Sequence, residues 1–251
     1  MKEYKFIIGD RTYTVLNERE LSLIFDVLGG EDEMSSVVHW NIIMQLDEDL
    51  IDIIKTYKGL LECLKKLNEK NAFLLVFKVA DNLSNIIENS LNFGELLARL
   101  PEEENKLRII KHIRKKGLEQ IILNSSDLSN ILEWIYDKTE RELLNMLGEE
   151  FLRKILIKPS DIYNVLPFLN DENKDYLTNI IGLKSIIKNI DTFQDLLFIL
   201  KGCTLKSSRQ LLDKYKKEDI LKLFNNDKEF HSFLKKLSDR KEKMFLEYFG
   251  K

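Results

Sequence analysis

The chain has 251 residues, 44% hydrophobic and 32% charged, with only 10 glycines and 3 prolines, a composition that suits a mainly helical core over a turn-rich sandwich or barrel. Its two cysteines, Cys63 and Cys203, lie far apart in sequence without metal-type spacing, which suggests neither a zinc cluster nor a disulfide framework; no apolar run reaches the roughly 18 residues of a membrane span, and the opening MKEYKFIIGDRTY has too short an apolar run for a signal peptide, so a cytoplasmic protein without a membrane partner is expected. The net charge of −3 hides a gradient: 11 Lys and Arg against 17 Asp and Glu over residues 1–100, 14 against 17 over 101–200, and 14 against 8 over 201–251.

Two short strands open the chain, Tyr4 to Ile8 and Arg11 to Val15, around Gly9-Asp10, where glycine supplies the positive φ of a type II′ turn. Asn17, with Glu20 three residues on, marks the start of a helix from Glu18 to Leu28. GGEDEMSS, residues 29–36, is expected as an acidic loop before VVHWNIIMQL. A lone two-stranded hairpin is marginal in water. It is therefore expected either to cap the helices that follow or to offer an edge to a partner strand, in which case Tyr4, Phe6, Ile8, Arg11 and Tyr13 are the candidate contacts. The segments FIIGDRTYTV, NERELSLIFDVL and LDEDLIDIIKTY resemble the start of phage tail assembly chaperones and related tail and baseplate assembly proteins. That resemblance implies a role in assembling a phage-like particle in the host cytoplasm.

From there on the chain repeats itself. Ser126 to Gly148, SDLSNILEWIYDKTERELLNMLG, returns 34 residues later as SDIYNVLPFLNDENKDYLTNIIG. The shared apolar stripe, Leu128, Ile131, Leu132 and Ile135 in the first copy, has the spacing of one helix face. Similar stripes begin at 21, 57, 93, 162, 193 and 230. Polar segments (PEEEN, DKTER, NDENK, KSSR) follow as turns, then a second apolar helix, then Gly117, Gly148 or Gly182 as its stop, then a short third helix in LEQIIL, EEFLRKIL or LKSII. Pro167, inside the helix of the 162 stripe, is expected to kink it or delay its start.

A hairpin of this size cannot bury its stripe alone, whereas a stack of hairpins can. The units resemble HEAT and armadillo-like helical repeats. The expected fold is mainly α, a solenoid-like stack of helical hairpins behind an N-terminal β-hairpin, with residues 1–50 as hairpin and capping helices and 51–251 as the repeat domain. An irregular helical bundle with evenly spaced helices is the alternative.

Catalytic motifs are absent from the sequence: no phosphate-binding glycine loop, HExxH, GxSxG or paired CxxC occurs. His39 reads as a half-buried packing residue, and His112 and His231 as solvent-facing. Cys63 reads as buried and Cys203 as an inter-helix turn residue that an exposed thiol would suit, while Trp40 and Trp134 read as core anchors. No catalytic residue, metal or cofactor is expected. The expected function is a non-enzymatic scaffold or adaptor for a protein partner or a second copy. The alternative is nucleic-acid binding through the basic end, where Lys214, Lys217, Lys235, Lys236 and Arg240 are the candidate contacts.

Overall fold

The computed structural model describes residues 2–28 and 33–250. Among them are eighteen α-helices, two 3₁₀ turns and one two-stranded antiparallel sheet, so the chain is mainly α with an N-terminal β-hairpin. The contacts divide it into two compact units, the first ending at Ile121 and the second beginning at Ile122.

In the first unit, β1 (Tyr4–Ile8) and β2 (Arg11–Val15) pair in the register Ile8↔Arg11 to Tyr4↔Val15, with Gly9 at φ 58° in the turn. Asn17 then accepts the Glu20 N–H at 3.1 Å while the Glu20 carboxylate takes the Leu16 N–H, starting α1 (Glu18–Leu28) at the expected residue. Of the expected acidic loop, residues 29–32 lie outside the described residues, and 33–36 belong to α2 (Glu33–Leu46). After α3 (Asp49–Ile53) come α4 (Tyr57–Leu64), α5 (Glu69–Lys78), a 3₁₀ turn (Ala80–Asn82), α6 (Leu83–Ile86), α7 (Ser90–Ala98) and α8 (Glu103–Ile121). α4 packs on α1, α5 on α2, and α8 on α5 to α7.

The second unit contains α9 (Ser125–Leu132), α10 (Lys138–Ile155), α11 (Pro159–Val165), a 3₁₀ turn (Leu166–Phe168), α12 (Asp171–Ile181), α13 (Leu183–Lys188), α14 (Phe193–Gly202), α15 (Leu205–Lys214), α16 (Lys217–Leu221), α17 (Asp227–Leu234) and α18 (Asp239–Phe249). Two rows of neighbours result: α9, α11, α14 and α17 pack in succession, as do α10, α12, α15 and α18.

The caps show the period more sharply than the apolar letters do. First helices start after Thr56, Asn89, Asn124, Lys158, Thr192 and Asn226, and all but Lys158 accept a helix N–H on the side chain. At Lys158 the Asp161 carboxylate instead reaches back to the cap N–H at 2.9 Å. Second helices start after Asn68, Asn170 and Thr204, which cap in the same way, and after Ser238. Counted from the cap, the buried stripes of the 56 and 192 units are Leu60, Cys63, Leu64 and Leu196, Ile199, Leu200, Cys203. Tyr57, which is buried, and Phe193, which is half-buried, thus sit one turn before the cap-relative position that Leu128 and Ile162 occupy, which accounts for the uneven spacing of the expected stripes.

Three further expectations change. The polar segments are mostly first turns of second helices, because side-chain oxygens there satisfy the free N–H groups. Pro167 neither kinks α11 nor delays it: α11 ends at Val165, and the proline sits in the 3₁₀ turn, while Pro159 occupies the first helical position. Finally, the second helices of three units break at Arg114 (φ 60°), Gly148 (φ 77°) and Gly182 (φ 83°), 34 residues apart each time. Gly117 is not the break. It is a packing glycine, where an added Cβ would lie 2.7 Å from Ile113 Cγ2 and 3.2 Å from Ser84 Cβ.

Within each unit, polar side chains of second helices tie them to neighbouring helices. Asn71 Nδ2 donates to the Ser36 carbonyl at 2.8 Å. Asn173 Nδ2 donates to the Asp137 carbonyl at 2.8 Å and to Glu140 at 2.7 Å, and its Oδ1 accepts from Arg141 Nε at 2.7 Å. Ser207 donates to Asp175 at 2.6 Å, and the Lys241 ammonium donates to the Lys201 and Cys203 carbonyls at 3.0 and 2.6 Å, capping the end of α14. Burial lowers the Lys241 pKa and raises that of Glu140.

Candidate functional site

The hairpin lies on α2 and presents two different edges. Tyr4 and Phe6 are buried, with Phe6 stacked on the half-buried Tyr13 ring at 5.5 Å, so these side chains belong to the core and not to a contact surface. Ile8 is half-buried and Arg11 exposed. On β1, the Gln45 amide from α2 accepts the Ile7 N–H and donates to the Ile7 carbonyl, both at 2.8 Å. The two groups an incoming strand would use there are thus already paired. Because Ile7 points its backbone away from β2, Thr12 opposite it, and Thr14 two residues on, point theirs outward from the other edge. Both threonines are exposed.

The basic candidates are spread over several elements. Lys214 ends α15, and Lys217 opens α16 with its ammonium 5.3 Å from the Tyr248 ring centre. Lys235 and Lys236 follow α17, exposed. Arg240 alone enters a groove, of about 340 Å³ between α15 and α18, together with Lys206, Arg209 and Lys243. Reading the sequence by local charge density missed these three. The signal available was the 34-residue period, which makes Lys206 equivalent to Arg240 and Arg209 to Lys243.

The groups with reactive chemistry are mostly engaged in structure. Cys63 is buried, its thiol pushed up to about 12 by desolvation and then by Glu18 and Glu62. Cys203 is buried too, not exposed as a turn position suggests, and desolvation pushes it up to about 11. Neither forms an appreciable thiolate at neutral pH. His39 is buried with Nε2 2.9 Å from the Phe25 carbonyl, and His112 is half-buried, edge-on to Phe77 and 3.6 Å from Asp81. His231 is exposed. Trp40 and Trp134, expected as core anchors, are 48% and 39% exposed. Among the described residues no group of three or more His, Cys, Asp or Glu side chains is placed to hold a metal ion, and no helix is long and apolar enough to cross a membrane.

Compared with family models, with curated proteins and with solved structures, the chain matches none.

Proposed function

We propose that this protein is a non-enzymatic helical-repeat scaffold of the α-solenoid kind, built to hold a protein partner. The observation that carries the reading is the recurrence of caps, backbone breaks and polar links at steps close to 34 residues, with the first and second helices of the second unit packed in succession on their counterparts. Stacks of this type expose long ridged surfaces and do their work by contact. The buried thiols and the buried, carbonyl-bonded His39 support the same reading, because they serve packing. Within the hairpin, the outward Thr12 and Thr14 backbone of β2 is the edge that a partner strand would extend, β1 being closed by Gln45.

The test uses the full-length chain immobilised for affinity capture, after nuclease treatment, beside Thr12→Pro/Thr14→Pro. The double variant removes two outward N–H groups and leaves Tyr4 and Phe6 in the core. At least one protein should be enriched by the native sequence and lost with the prolines. Capture that depends wholly on nucleic acid, or no enriched protein, refutes the scaffold; capture unaffected by the prolines refutes the β2 edge.

A further inference from the structure

The row of second helices in the second unit carries charged residues at two equivalent positions, three residues apart on one helix face. They are Lys138 and Arg141 on α10, Glu172 and Asp175 on α12, Lys206 and Arg209 on α15, and Arg240 and Lys243 on α18. The acidic pair on α12 lies between two basic pairs and is matched on both sides: Arg141 is 3.6 Å from Glu172, and Lys206 is 3.5 Å from Asp175. At the next step the pattern fails. α15 packs directly on α18, so two basic pairs face each other across the groove, and like charges so placed repel.

The groove's single carboxylate, Glu247, is 3.4 Å from Arg209. Among the described residues, Arg240 and Lys243 have no ion-pair partner, and all four cations are exposed. The remaining lining is apolar, from Leu205 and Met244.

We propose that the groove between α15 and α18 docks an acidic helical segment of a partner protein, one that presents two carboxylates three residues apart. The chain supplies the template, because its own basic pairs are matched by Glu172 and Asp175, three residues apart on a helix. Such a segment laid along the groove meets both basic rows at once and places its apolar positions over Leu205 and Met244. Single-stranded nucleic acid fits less well, since the lining holds no aromatic side chain on which a base can stack. The surface is separate from the β2 edge and does not depend on it.

The probe is a labelled alanine-based helical peptide of about 20 residues, long enough to hold a helix, carrying two Glu-x-x-Asp pairs. A Gln-x-x-Asn version and a thymidine oligonucleotide of equal length are the comparators. Fluorescence anisotropy with the full chain, at about 0.02 M and about 0.15 M salt, should show the acidic peptide binding, and binding more weakly at the higher salt. Arg240→Gln/Lys243→Gln should weaken it about tenfold. Lys184→Gln/Lys188→Gln, the same charge change on α13, should leave it within about twofold. Because the first variant relieves repulsion, its Tm at low salt should rise above that of the second. Equal losses with both variants, equal binding of the neutral peptide, a preference for the oligonucleotide, no binding of the acidic peptide or a lower Tm for the groove variant would each overturn the proposal.

Discussion

Asn173→Ala is the sharpest probe of the polar links between helices. Its amide holds three side-chain hydrogen bonds of 2.7 to 2.8 Å, to Glu140, to the Asp137 carbonyl and from Arg141, in a residue that is 2% exposed. A hydrogen bond to a charged group contributes about 1.5–3 kcal/mol and a neutral one about 1 kcal/mol. Part of that returns as the site relaxes, so the variant should lose about 3 kcal/mol at neutral pH. The loss should also depend on pH. Burial holds the Glu140 pKa above its ordinary value, and the Asn173 amide opposes that rise. The folded protein therefore keeps the Glu140 proton to higher pH than the unfolded chain does, and stability falls as pH rises through the window between the two pKa values. Removing Asn173 widens the window, so the variant should lose more stability at pH 7.5 than at pH 4.5. Urea unfolding of both proteins at both pH values, followed by circular dichroism, measures this. A loss under about 1 kcal/mol, or one that is equal at the two pH values, would refute the link between amide and carboxylate.

Two further predictions concern the repeat itself. Arg114 adopts the positive φ that the next two units assign to glycine, and its side chain is exposed, so Arg114→Gly should stabilise by about 1 kcal/mol while Gly148→Ala and Gly182→Ala each cost about 1–2 kcal/mol, read from thermal melts. Leu132→Ala and Leu166→Ala remove side chains that are 1% and 0% exposed and should each lose about 2–5 kcal/mol in urea titrations; little change in either would mean that these stripes do not form the core.

Much of this was legible from letters alone, for a physical reason: caps, strands and apolar faces are local. The hairpin register follows from Gly9-Asp10, and α1 starts where Asn17 and Glu20 place it. The helix breaks were harder, because positive φ usually selects glycine, and at 114 the chain uses arginine and keeps Gly117 for close packing. Leu61 and Phe193 look like stripe residues but are only half-buried, since the cap and not the apolar letter sets the helix phase. Of the four groove cations, a charge count found only Arg240. Lys206 and Arg240 are 34 residues apart in sequence, and only the packing of α15 on α18 makes them neighbours.

The alternating charge pairs also constrain how such a chain can be edited. With caps and breaks recurring in step, residues 159–192 could be excised as a cassette, since Lys158 and Thr192 are equivalent cap positions and the apolar faces would stay in phase. The electrostatics would not. The cut deletes Glu172 and Asp175 and sets Lys138 and Arg141 against Lys206 and Arg209, turning one like-charged seam into two in succession. Interchangeable in shape, these units are keyed by sign, so their order along the chain carries information that their backbones do not.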